Sequence, residues 1–352
     1  MTGTIFFIFP NIPEPIQTLL ATNQPLPAPE VLASQVAPEH QTAKAGQWCW
    51  ILQTFLYMQQ AGLDVALVEE PVAGAICVAH FDTTKNKVWA PDAFVIGIRA
   101  DRPPLRMCEV EIVQNPENLR GNQRFLVKHW PQPGLIPRDA ARGDRVERIS
   151  FFGNHVNFSP RFRDPSFRDA LKEMGVELNI CCDPAQWHDF RETDLILAIR
   201  NNIHSLVRKT KPPIKLINAW QGQCVALLGE EPAYRAIGRP GEDYFEIASP
   251  QDVLNIVTQF KNDPSLYQRV RQAGIERYRD FSVEAVQQQW IELLKGPIAE
   301  AFKDWQQGVG KNHSARYARR SWQATHQWVG QKWFWSQVRS GEFMQRRLSQ
   351  TR

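Results

Sequence analysis

Residues 209–231 read KTKPPIKLINAWQGQCVALLGEE, and the fold turns on how this stretch is parsed. Lys211, Pro212 and Pro213 make a stiff loop. Pro213 suits the position just before or at a first helical turn, where its missing N–H is not needed. Lys215 to Trp220 reads as a short helix, and Gly222 ends it as a residue able to take positive φ. Cys224 to Leu228 is a continuous apolar run, the pattern of a parallel strand buried on both faces. A loop, a helix and a buried strand in that order belong to an α/β protein. Free backbone N–H groups at a helix start beside lysines can receive a diphosphate. On local chemistry alone, an ordinary connecting unit with solvated lysines is the better reading.

The same alternation extends in both directions. Thr4 to Phe9 reads as a first buried strand, too short for the apolar core of a signal peptide and without basic residues before it. Residues 10–41 are proline-rich and polar, with a short helix expected near Val31 to Val36. Trp48, Ile51, Leu52, Phe55 and Leu56 recur at helical spacing, with Gly62 as the cap. Strands are expected over Leu63–Val68, Ala75–Ala79, Phe94–Ile98, Glu109–Val113 and Arg124–Val127. Residues 131–145, PQPGLIPRDAARGDR, break the rhythm and read as an interdomain linker. A second half follows, with strands at Val146–Phe152, Val176–Cys181, Leu195–Ile199, Cys224–Leu228 and Asp243–Ile247. Asp164 and Gly175 bracket a helix between the first two. Helices over 251–261, 264–279 and from the Ser282 cap to about Lys295 close the half. The division expected is 1–140, 141–295 and a helical tail, 296–352.

The chain has 352 residues and a formal charge of +4. The charge is unevenly placed: Lys311–Arg352 carries about +8 and the remainder about −4. Six cysteines without paired metal spacing read as reduced thiols of a cytoplasmic protein. No apolar run approaches the length of a membrane span.

In α/β sheets ligands sit beyond the carboxyl ends of the strands. That rule selects His80, Arg99, Gly153 with Asn154, Arg200 and Glu230. Lys211 and Lys215 could join Arg200 in holding two phosphates.

The segment Lys215-x-x-Asn218-Ala219-Trp220, followed by a strand and Glu230-Glu231-Pro-Ala-Tyr234, resembles the donor-binding segment of GT-B glycosyltransferases of the "group 1" type. The resemblance covers about 146–294 and is looser before that. It implies two Rossmann-like domains facing each other across a cleft, with the nucleotide-sugar donor on the second domain and a hydroxyl acceptor on the first. Lys215 falls on the family's diphosphate lysine. Asn218 stands where the family has a ribose-binding glutamate, and Thr210 where it has an earlier one. The resemblance places His80 against the transferred sugar, Gly153 near the donor phosphates, and Glu230, Glu231 and Tyr234 around the donor sugar. Trp130 and Gln132 would meet the acceptor. It implies retention of configuration and cationic side chains in place of a metal, with no cofactor beyond the donor. A non-catalytic nucleotide-binding or scaffold protein, or an epimerase on the same fold, remain as rival readings. The tail, with Trp322, Trp328, Trp333 and Trp335 among arginines, would pack back on the first domain, or meet an anionic membrane surface or an acidic partner. Nucleic acid is the weakest reading, because the body is mildly acidic.

Overall fold

Parallel strands supply both sheets. The computed structural model describes residues 3–22, 26–35, 45–84, 89–121, 123–200, 204–308 and 312–350. Its contacts divide the chain into two units. The first comprises Met1–Lys128, His204–Pro212 and Glu284–Arg352; the second comprises His129–Ile203 and Pro213–Val283. The crossover thus falls at 128/129 instead of 140/141, and the tail belongs to the first unit.

In the first unit, β1 (Ile5–Ile8), β2 (Val65–Val68), β3 (Ile76–His80), β4 (Phe94–Ile98), β5 (Val110–Val113) and β6 (Arg124–Leu126) form a sheet of order 2-1-3-4-5-6. β1 lies parallel between β2 and β3, with Phe7 opposite Leu67 on one side and Val78 on the other. Every residue of β3, β4 and β5 is buried, which is why these runs are uninterrupted by polar alternation. The helix expected near Val31 spans Pro29–Gln35; Val36 lies outside the described residues. The chain is helical from Ala45 to Gln60, with a π turn at Trp48–Leu52.

The second unit repeats the plan. β7 (Arg148–Phe152), β8 (Glu177–Cys181), β9 (Leu195–Ala198), β10 (Val225–Leu228) and β11 (Phe245–Glu246) pair in the order 11-10-9-7-8, all parallel. Successive strand residues feed opposite layers. Ile149, Phe151, Leu195 and Leu197 pack with the Pro165–Glu173 and Pro250–Asn262 helices. Phe152, Ile196, Ala226 and Leu228 pack with Leu216, Ile217 and Trp220 of the Ile214–Gln221 helix. Ser249 and Asp252 form a reciprocal capping box, and Asp164, the expected cap, accepts from Ser166 N.

Two local expectations are corrected. Gly222 does not supply the positive φ: it stays right-handed at φ −74°, and Gln223 turns left-handed at φ 56°. Gly222 is required for space instead, because a methyl group there would lie 2.4 Å from Phe190 Cδ1. Arg271 holds Gln223 in its unusual conformation by donating to both its backbone and side-chain oxygens, at 3.0 and 3.2 Å. The 131–145 segment is no free linker either. Ile136 bridges Asp189, and Arg138 N donates to Gly222 O, so the prolines stiffen a strip laid onto the second unit.

The Ile214–Gln221 helix is locked from behind by Gly274, where a methyl group would meet Trp220 Cδ1 at 2.5 Å. Trp220 cannot retreat easily, since its Nε1 donates to Asp243 O at 3.0 Å. Gly274→Ala is therefore expected to cost about 1–3 kcal/mol by overpacking, read as a lowered urea midpoint with unchanged slope.

Candidate functional site

The order 8-7-9-10-11 puts a topological switch point between β7 and β9 of the second unit. Ligands of open α/β sheets bind outside the carboxyl ends at such a point. The side chains that meet there come from strand ends, one helix, the proline-stiffened strip and the β8–β9 connection. Phe152 ends β7 and Ala198 ends β9. Lys215 and Asn218 lie three positions apart on the Ile214–Gln221 helix and so share one face. Gln132 arrives from the proline-stiffened strip. With Trp187 and Phe190 they line a cavity of about 40 Å³, room enough for a water molecule.

Lys215 is the charged end of this cavity. Its Nζ donates to the Phe152 carbonyl at 2.6 Å and stands 6.0 Å from the centre of the Trp187 ring. Burial, with the Arg200 charge adding to it, lowers its pKa from 10.5 to about 8. The ammonium is thus held charged at neutral pH against its surroundings, short of opposite charge.

The polar end is an amide network whose orientation follows from chemistry. The Trp187 carbonyl can only accept, so the Gln132 atom facing it at 3.2 Å is Nε2. Gln132 Oε1 therefore faces Asn218, whose Nδ2 donates to it at 2.6 Å. Asn218 Oδ1 is what remains, buried and without a hydrogen-bond partner among the described residues. Gln132 is itself fixed by a reciprocal pair with Gln221: its N–H donates to Gln221 Oε1 at 3.0 Å, and Gln221 Nε2 donates to its carbonyl at 2.9 Å.

Beside Lys215, Arg200 Nε donates to Glu231 at 2.8 Å, and Glu231 is 3% exposed. Tyr234 is a core residue rather than a surface contact: it is packed between the Leu216 and Tyr244 side of the core, and burial raises its phenol pKa. Glu230 is exposed and held by Arg235, which also spans to Glu246. Trp130 is fully buried, which removes it as an open contact for an acceptor. Gly153 has φ 155°, a region that favours glycine, but its N–H is taken by the Cys181 carbonyl at 3.1 Å, so it offers no donor to a phosphate. Asn154 beyond it is exposed.

Lys211 is separated from Lys215 by the division of the chain. It belongs to the first unit, where its Nζ meets Asp101 at 2.8 Å. Burial works to raise the Asp101 pKa, but the Lys211 charge and hydrogen bond hold it below the usual value. Asn115 and Asn118 tie down the same segment through the carbonyls of Lys211 and Lys209. His80, also in the first unit, ends β3 at 1% exposure, and its Nδ1 accepts from Asp82 N at 3.2 Å. Gly46 covers the ring: a methyl group there would lie 2.7 Å from Nε2. Arg99, at the end of β4, is buried, which lowers its pKa to about 10 against the pull of Glu111.

Trp187 and Phe190 were not legible as site residues. They lie on the β8–β9 connection, which carries a single 3-10 turn at Pro184–Gln186 in place of the usual crossover helix. A larger groove of about 680 Å³ opens along this connection. Each of its four arginines lies within 4.0 Å of a carboxylate: Arg142 of Asp194, Arg145 of Glu147, Arg148 of Glu177 and Arg191 of Asp189.

No family model and no curated protein matches this chain. Solved structures similar to it include HepE of Anabaena in complex with UDP, at 12% identity and a TM-score of 0.48, covering 68% of this chain and 88% of that one. The pneumococcal O-GlcNAc transferase GtfA in complex with UDP and GlcNAc matches at 9% identity and a TM-score of 0.45, over 70% of this chain and 60% of its own. Sucrose-phosphate synthase of Thermosynechococcus elongatus matches at 9% identity and a TM-score of 0.43, over 75% and 81%. The chain spans 57% of TarM, another similar structure, at 10% identity and a TM-score of 0.46.

Proposed function

We propose that the protein is a glycosyltransferase whose second unit holds the nucleotide of a nucleotide-sugar donor, with Lys215 on the diphosphate and Asn218 on the ribose. The observation that carries this reading is the unsatisfied Oδ1 of Asn218 beside the Lys215 ammonium, at the switch point of the sheet. A ligand that satisfies both must bring an anion and a hydroxyl that donates, a few ångströms apart. A nucleoside diphosphate has both. The resemblance of Lys215-x-x-Asn218-Ala219 to the donor segment of GT-B enzymes supports the same assignment. An amide oxygen can still accept from a diol, but it is neutral where a carboxylate is charged, so ribose is held with less charge assistance. The cavity is smaller than a diphosphate, and binding draws Lys215 off the Phe152 carbonyl. As the bond to the sugar breaks, negative charge grows on the diphosphate, and Lys215 with Arg200 stabilises it. Retention, independence of metal, a hydroxyl acceptor and His80 as the contact of the first unit complete the proposal; these rest on the resemblance alone.

Melting temperatures measured against UDP, GDP and ADP test the site, since a ligand of the native state stabilises it by about 2.7 kcal/mol at a hundred times its dissociation constant. One nucleotide is expected to raise the melting temperature clearly above the others. No shift with any of them sinks the assignment. Binding with no turnover of any nucleotide-sugar donor would make this a binding protein instead.

A further inference from the structure

The His313–Gln350 helix presents an aromatic surface that nothing in the first unit covers. Tyr317, Trp322, Trp328, Val329, Trp333 and Trp335 are 45–61% exposed. Elsewhere the described residues expose only Val31, Leu119 and Val156 among large apolar side chains. Scattered apolar residues need no explanation, but a cluster of this size marks an interaction surface.

The opposite side of the helix is firmly seated. Arg320, 2% exposed, donates through Nη2 to both oxygens of Glu109, at 3.1 and 3.0 Å, and to the Ala90 and Ala93 carbonyls. Gln323 donates to Cys108 O, Gln327 to Pro104 O, and Phe334 and Val338 are buried. The aromatic face is therefore held in place before any partner arrives.

At about 100° per residue the exposed aromatics fall in two rows. Tyr317, Trp328 and Trp335 form one; Trp322, Val329 and Trp333 form the other, about 140° around. Lys332 and Arg339 project between the rows, and Lys332 Nζ lies 3.7 Å over the Trp328 ring. Residues 313–341 contain no acidic side chain. The rows run for about 27 Å of helix. This is a convex ridge with a lysine and an arginine along its crest, and lysine is depleted from protein–protein interfaces. Tryptophans that flank cations suit the headgroup layer of a bilayer, where indoles sit at the boundary and lysine or arginine meets phosphate. Among the described residues no helix is long and apolar enough to cross a membrane.

We propose that the exposed face of this helix docks the protein on an anionic phospholipid surface, lying in the headgroup plane without spanning it. Charge complementarity selects this occupant: Lys332 and Arg339 lie between the aromatic rows, the partly exposed Arg319 flanks the second row, and residues 313–341 offer no carboxylate.

Co-sedimentation of the full chain with vesicles of phosphatidylcholine alone, and with 30% phosphatidylglycerol, at two salt concentrations tests this. Pelleting is expected with the anionic vesicles only, weakening as salt rises. Replacing Trp322, Trp328, Trp333 and Trp335 together by Ala is expected to abolish it at an unchanged melting temperature. Should that variant not fold, Arg319→Glu with Lys332→Glu and Arg339→Glu is expected to lower partitioning about a hundredfold, at roughly 1 kcal/mol per cation near the surface. No pelleting at low salt overturns the proposal, as does pelleting that either folded variant retains. Concentration-dependent dimerisation that the tryptophan variant abolishes, without vesicle binding by the parent, would assign the face to a second copy of the chain and equally overturn it.

Discussion

Lys215→Met is expected to lower kcat/KM for the donor about 10²–10³-fold while leaving the protein as stable as its parent, or more so. Removing one preorganised charge from the site of a departing anion carries a cost of that size. The stability side follows from the depressed pKa. In the unfolded chain the amine titrates near 10.5, and in the folded protein near 8. Below about 8 the folded protein carries the whole cost of the buried charge, of order 3 kcal/mol. Between 8 and 10.5 the unfolded state binds more protons than the folded one, so stability rises with pH. Methionine fills the same stem without the charge. At pH 7 the variant should therefore melt at or above the parent, and the two curves should converge as pH approaches 10. Activity of the parent should fall through the same window as the ammonium deprotonates, unless bound phosphate raises its pKa. A residue that weakens the fold where it stands and strengthens catalysis is retained for its chemistry. If Lys215→Met instead loses stability and keeps its nucleotide-dependent melting shift, Lys215 is a structural residue and the proposed donor site fails.

The strands were legible because their burial is two-sided. Runs such as Phe94–Ile98 and Val225–Leu228 have no reason to alternate, and their lengths separate them from helices. Lys215 was legible through its spacing to Asn218, which any helix converts into a shared face. What could not be read was which nearby cations act together. Lys211 and Lys215 are four residues apart, yet the chain passes from one unit to the other between them. Sequence proximity carries no information on that division, because both sides of it are hydrogen-bonded loop and helix. Gly222 misled for a related reason: glycine serves φ or space, and only the position of Phe190 shows which. The 131–145 segment misled most. Its prolines, glycines and charges are the composition of a solvated linker, while two of its three arginines, Arg138 and Arg142, are in fact ligands for one buried carboxylate.

That carboxylate, Asp194, gives the largest stability prediction. Its side chain has no exposed surface. Its Oδ1 accepts from Arg138 Nε at 2.9 Å and Arg142 Nε at 2.8 Å; its Oδ2 accepts from Arg142 Nη2 at 2.8 Å and from the N–H groups of Glu147 and Arg148 at 2.8 and 2.9 Å. Arg138 is equally buried, and donates its remaining N–H groups to the Gly143 and Arg145 carbonyls. Asp194→Ala leaves this guanidinium buried without its counter-charge and is expected to cost about 3–5 kcal/mol. Arg191→Ala breaks the exposed pair with Asp189 and is expected to cost less than about 1 kcal/mol. Burial acts to raise the Asp194 pKa, but the hydrogen bonds from Arg142, Glu147 and Arg148 and the charge of Arg138 bring it below 3.8. A depressed carboxylate contributes fully above its unfolded pKa and loses that contribution as pH falls through its folded one. The parent should accordingly lose stability below about pH 4, and Asp194→Asn should lose less over the same fall. Urea midpoints at pH 7 and pH 3 measure both effects. A cost under about 1 kcal/mol for Asp194→Ala would mean the strip from Ile136 to Arg148 is not held by this residue, and Gln132, which that strip leads from, would lose its fixed place at the Asn218 end of the cavity.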